Sequence, residues 1–280
     1  LALLEESQAN TATFTPTATI TDTTNVITLL KTGVADAAGN AGVGSTSSNN
    51  YAIDTLAPTV LTAVITGTDS HLAVGQKITV TGGTSGVVTV TGAPTYTVDV
   101  GGVSKAATYA SGSGTSSLVF EYTVANGDAD VSGGIMALTD ALALSAGTLK
   151  GGTLKDAAGN DLTLTTPAVN AGANAIAVDG TAPTLSSSTP ADNATAVVVD
   201  SNIVLNFSET VTAGTGNFVI TNGAGDTRTI AVGDAQVSIS GSTITINPTT
   251  DLLANSAYNI QMVSGVLKDA AGNAYAGIAD

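Results

Sequence analysis

Apolar and polar residues alternate in short runs along most of the chain. The runs Lys77–Thr81, Gly86–Thr91, Tyr96–Val100, Ser117–Val124, Ile203–Phe207, Phe218–Thr221, Gln236–Ile239, Ser242–Ile246 and Ala257–Val263 are rich in β-branched residues. A period of two suits a strand with one face on a core and the other in water. Between the runs stand Gly101-Gly102, Asn126-Gly127, Asn222-Gly223 and Gly241-Ser242, pairs that suit tight turns. Only Ile135–Ser145 reads as a short helix. Many short strands with a turn roughly every 8–12 residues predict an all-β protein built of sandwiches.

The same sequence repeats at domain spacing. Asp-Ala-Ala-Gly-Asn occurs at Asp36–Asn40, Asp156–Asn160 and Asp269–Asn273, at intervals of 120 and 113 residues. A second phrase follows the first two copies, as Ile53-Asp54-Thr55-Leu56-Ala57-Pro58-Thr59 and Val178-Asp179-Gly180-Thr181-Ala182-Pro183-Thr184. Proline fixes its own φ and pushes the preceding residue into an extended conformation, so each Ala-Pro-Thr reads as a short, stiff connector. Cuts there give units 1–58, 59–183 and 184–280. The first is short for a sandwich of about 100 residues. It reads as the C-terminal part of a domain cut at Leu1; the alternative is a strand supplied by a neighbouring chain.

Composition narrows the chemistry. Hydrophobic residues make up 43% of the 280, but aromatics only 4% and Trp is absent. The core must therefore be mostly Val, Ile, Leu and Ala. The net charge of −15 argues against a nucleic-acid surface and against an anionic membrane. It suits solubility or the binding of hard cations through oxygen. Without Cys there is neither a disulfide framework nor a thiolate metal site. No run of about 20 apolar residues is present to span a bilayer, and Leu1–Glu6 lacks the basic start of a signal peptide.

These phrases resemble the bacterial Ig-like repeats of giant adhesins and biofilm proteins. In residues 59–183 the matching phrases include Leu72–Gly75, Val90–Pro94, Ala107–Thr115 and Phe120–Val124. Residues 184–280 are similar to the Ig-like domains of S-layer proteins, through Thr189–Asp192, Ile203–Glu209 and Asp269–Asn273. The resemblance implies tandem immunoglobulin-like β-sandwiches in an elongated rod, on the bacterial cell surface or outside it. One departure stands out: the Phe-Ser-Glu phrase kept at Phe207-Ser208-Glu209 has no counterpart in the second unit, where Val80-Thr81-Gly82-Gly83 is read in its place.

Calcium is the sharpest candidate ligand. Ca²⁺ takes six to eight oxygens from carboxylates, amides and backbone carbonyls. The pentapeptide offers Asp and Asn around a turn-forming Gly, and each linker adds an Asp. The expected sets are Asp36, Asn40 and Asp54 at the first junction and Asp156, Asn160 and Asp179 at the second. A third comprises Asp269 and Asn273, with Asp280. The family comparison implies junction calcium as well. The competing reading is an Asx-turn, in which Asp and Asn bond only their own backbone. Asp128 and Asp130, in Asn126-Gly127-Asp128-Ala129-Asp130, imitate the opening of an EF-hand loop, but no Gly follows Asp130 and Ala137 stands where the bidentate Glu belongs. Glu209, near a strand end, is a further candidate.

Catalysis is poorly served. His71 is the single histidine and no nucleophile elbow accompanies it. No carboxylate pair has glycosidase spacing. The alternating threonines from Thr11 to Thr21 are broken by Pro16, which argues against a flat ice-binding array. The chain thus reads as a non-enzymatic adhesive or structural rod stiffened by Ca²⁺. Its partners would be neighbouring Ig-like domains, identical subunits, or a host or matrix surface ligand. The alternatives are a self-assembling layer or filament subunit, and a spacer or glycan-binding module of a secreted enzyme.

Overall fold

The computed structural model describes residues 13–67, 71–130, 151–163 and 176–279. Segments 1–58, 59–183 and 184–280 are called here the first, second and third units. The described residues form strands, turns and one 3-10 turn, Lys31–Gly33, with no α-helix. The helix expected at Ile135–Ser145 lies outside them.

The second unit is organised around one long strand. The two runs expected at Lys77–Thr81 and Gly86–Thr91 are a single strand, β7 (Lys77–Gly92). On one edge β7 pairs with β5 (Val60–Gly67) and then with β12 (Gly152–Lys155); on the other it pairs with β10 (Thr115–Thr123). β9 (Val103–Ser111) and β8 (Thr95–Val100) extend the sheet. Gly83 lets β5 approach closely, because a Cβ there would lie 2.4 Å from Thr62 Oγ1. A second sheet joins β11 (Ala129–Asp130), β13 (Ala177–Asp179) and β6 (His71–Leu72), with β13 parallel to β6. Alternate residues point inward, as in Leu118 and Phe120 of β10. They pack with Leu72, Ile78, Val80 and Val178.

The third unit is a two-sheet sandwich. One sheet is β14 (Leu185–Thr189), β15 (Ile203–Phe207), β20 (Thr243–Ile246) and β19 (Val237–Ser240). The other is β18 (Thr227–Ala231), β17 (Asn217–Thr221) and β21 (Asn259–Met262), with β16 (Thr212–Ala213) paired to β22 (Leu267–Lys268) beside it. Leu205, Phe218, Ile220, Ile244, Ile246 and Leu267 are fully buried between them. The Phe207 and Tyr275 rings meet edge to face at 5.0 Å.

The first unit is thinner. β1 (Thr21–Asn25) pairs with β4 (Tyr51–Asp54), and β2 (Thr28–Leu30) pairs with β3 (Ser45–Ser47). No residue from 13 to 57 is buried. Val34 sits two residues before its pentapeptide, like Leu154 and Leu267 before theirs. Val34 is 53% exposed, whereas Leu154 and Leu267 are core residues.

Candidate functional site

The three pentapeptides fold as one self-contained turn. Each is flanked by an antiparallel bridge: Ala35–Ala41, Lys155–Asp161 and Lys268–Ala274. The Asp N–H donates to the Asn carbonyl at 3.0, 3.1 and 3.1 Å. One oxygen of the Asp carboxylate accepts the Asn N–H and a second turn N–H, from Ala38, Ala158 or Gly272. The other oxygen accepts the Asn side-chain amide at 2.9, 2.8 and 2.7 Å. Gly39, Gly159 and Gly272 take φ of 89°, 95° and 103°, open to glycine at no steric cost. This is the Asx-type geometry. The Asn40 amide and turn N–H groups hold the Asp36 carboxyl below the usual carboxylate range. At Asp156 burial pushes upward, but the Asn160 amide and three backbone N–H groups outweigh it; donors of this kind favour the ionised form.

The turns bond to the linkers in a different grouping from the one expected. The Asn160 amide donates to the Asp54 carbonyl at 3.1 Å, and the Asn273 amide to the Asp179 carbonyl at 2.6 Å. Each linker Asp therefore bonds the pentapeptide of the unit that follows it, not of the unit it leaves. The reason is topological: this hairpin turn lies at the pole where the chain enters the sandwich. Asp36 and Asn40 bond within their own turn. The side chains of Asp54 and Asp179 cap the linkers, accepting from Leu56 N–H and Thr181 N–H, both at 3.0 Å. Asp280 lies outside the described residues.

At the second junction three carboxylates converge. Asp179, Glu209 and Asp269 each place an oxygen within 4.8 Å of the other two. Asp269 is buried. Burial, then the charges of Asp179 and Asp269, push the Glu209 carboxyl above the ordinary glutamate range. Glu209 is placed by its neighbour Ser208, which clasps Thr184: Ser208 N–H donates to Thr184 O at 2.8 Å and Thr184 N–H to Ser208 Oγ at 3.0 Å. Asn273 is 5% exposed and bridges units, its Oδ1 accepting Val74 N–H at 2.9 Å.

The first junction repeats the clasp through Thr59 and Ser85. Register and bulge repeat as well: Val60 faces Thr84 as Leu185 faces Phe207, and each ladder slips at the next step. The counterpart of Phe207-Ser208-Glu209 is thus Thr84-Ser85-Gly86, not Val80–Gly83, and Gly86 stands where Glu209 would.

Asp128 and Asp130 are elsewhere engaged. Asp128 is 3% exposed. One of its oxygens meets Lys105 Nζ at 2.6 Å; the other accepts the Tyr122 hydroxyl and Ala125 N–H. Burial pushes its carboxyl up, but these partners more than offset that and hold it low. Burial and the same contact push the Tyr122 phenol up to about 12. That arrangement makes Asp128 a structural anchor in place of the EF-hand-like ligand weighed from the sequence. Asp130 is buried in β11, opposite Val178. Sequence reasoning missed Lys105, Tyr122 and Val74. Scarcity was the one available signal, since Lys105 is among only seven basic residues.

Residues 179–280 match a family model described as bacterial Ig-like domain, and residues 1–53 match a second model of the same description. No curated protein and no solved structure matches the chain.

Proposed function

We propose that this chain, which carries bacterial Ig-like domains at both ends, is a structural or adhesive segment of an extracellular bacterial surface protein, with Ca²⁺ bound where the second and third units meet. Asp179, Glu209 and Asp269 are the protein ligands in this reading, and backbone carbonyls and water complete the six to eight oxygens that Ca²⁺ takes. The observation that carries it is the meeting of three carboxylates from a linker, a strand end and a turn within 4.8 Å. Without a cation they repel. With one they are drawn together, and the joint stiffens. The first junction lacks the third carboxylate, so calcium acts chiefly at the second. The role is mechanical, not catalytic.

Calorimetry and small-angle scattering of the full chain, in Ca²⁺ and in chelator, test this. Ca²⁺ at 100 times its Kd adds about 2.7 kcal/mol to the stability of the bound state, so the melting temperature of the third unit should rise and the profile should sharpen. Identical melts and profiles in both buffers would defeat the calcium reading while leaving the structural role standing.

A second reading, a self-assembling layer or filament subunit, is favoured by the first unit alone. There Val34 stands 53% exposed where Leu154 and Leu267 are core, and strands from another copy could cover it. Electron microscopy and light scattering of concentrated protein distinguish polymer from monomer.

A further inference from the structure

The linker between the second and third units is bonded on both sides. From the second unit, Gly127 N–H donates to Gly180 O at 2.9 Å and Gly180 N–H to Asp128 O at 2.6 Å, while Asp179 pairs with Ala129 in the β11–β13 ladder. From the third unit, the Asn273 amide donates to Asp179 O. The same Asn273 spans the junction directly, accepting Val74 N–H. Both amide donors and the carbonyl of this buried side chain are therefore used, each toward a different segment. Asn160 uses its two amide donors alike, on Asp54 O and Asp156 Oδ2. The bond from Val74 is what Asn273 adds.

We propose that Asn273 is a latch that fixes the orientation of the third unit on the second without any cation. Hydrogen bonds are directional and a buried amide loses much when a partner is removed. One of the three bonds holds Asn273 in its own turn, on Asp269, and the other two, to Asp179 O and from Val74 N–H, cross the joint and favour one relative orientation in which both are made. The latch goes beyond the calcium reading and does not depend on it: the cation relieves repulsion at the joint, whereas Asn273 sets its angle.

Spin–spin distance measurements on the full chain test the latch. The chain has no Cys, so labels at Ser104→Cys and Thr229→Cys, exposed strand positions in the two units, report only the joint. The unmodified joint should give one distance distribution whose mean is the same in Ca²⁺ and in chelator. Asn273→Ala should at least double its width in both buffers. Asn160→Ala, which disturbs the equivalent turn of the second unit, should leave it unchanged. If Asn273→Ala unfolds the third unit, Val74→Pro removes the N–H that Asn273 Oδ1 accepts and leaves the turn of the third unit untouched, and should also broaden the distribution. An unaltered width in these Asn273 and Val74 variants would overturn the latch, as would a shifted mean distance of the unmodified joint in chelator. Loss of the calcium-dependent melt alone would overturn only the calcium reading.

Discussion

Thr59 and Ser85 hold each other through two bonds: Thr59 N–H donates to Ser85 Oγ and Ser85 N–H to Thr59 O, both at 2.9 Å. Thr184 and Ser208 do the same in the third unit. The clasp aligns the two junctions residue by residue and sets Gly86 opposite Glu209.

That alignment predicts a gain of function. A Cβ on Gly86 meets nothing within 4 Å, so a side chain can start there without a clash and Gly86→Glu is the substitution to make. It would add a third carboxylate beside the Asp54 and Asp156 region. Calcium titration by calorimetry should then show one more binding event than the unmodified chain shows. An unchanged stoichiometry would show that the first junction cannot form the site.

Glu209 predicts a pH dependence with an unusual sign. Its carboxyl is raised in the folded protein by burial and by Asp179 and Asp269. A raised acid favours folding when protonated. In chelator, stability should therefore increase as pH falls from 7 through the folded value toward the unfolded glutamate range of about 4.3. The lowered carboxyls of Asp36, Asp128 and Asp156 act in the opposite sense at lower pH. Their contribution is present above about 3.9 and is lost as pH falls through their folded values. Melting temperature against pH should rise gently and then fall, and Glu209→Gln should remove only the rise.

Lys105 should matter more than an ordinary surface lysine. Its partner Asp128 is 3% exposed, and removing one member of a buried pair leaves an uncompensated charge. Lys105→Met should cost about 3 kcal/mol by urea denaturation of the second unit. Lys105→Met with Asp128→Asn should recover part of that loss. A cost below about 1 kcal/mol, the level of a surface pair, would show that Asp128 is not desolvated.

Gly180 is a steric requirement of the linker. A Cβ there would lie 2.3 Å from Ala125 O and 2.8 Å from Asp128 O. Gly180→Ala should therefore break the bonds between Gly180 and the Asp128 turn. The measurable result is faster hydrogen exchange at the Gly127 and Gly180 amides, at least tenfold, with the Leu205 core amides unchanged.

The junction turns were legible in the sequence because their chemistry is local. In Asp36–Asn40, carboxylate, amide and glycine lie within five residues and bond one another, so the pattern implies the turn wherever it occurs. Glu209 was legible only through resemblance, and its place relative to Asp179 and Asp269 was not. The counterpart in the second unit begins at Thr84, four residues beyond the Val80 read in its place. A bulge and a 16-residue strand shift register in ways that alternation alone does not reveal.

By itself the sequence determined the all-β character, through period-two alternation that one-sided burial imposes, and the repeat, through identical turns at domain spacing. It determined that acids far outnumber bases, 22 to seven. Only the tertiary structure decided which turn meets which linker. Asp54 is 14 residues from Asn40 but bonds Asn160, and Asp179 is 19 residues from Asn160 but bonds Asn273. Closing an antiparallel sandwich returns a late hairpin to the pole where the chain came in. Proximity along the chain then says nothing about proximity in space.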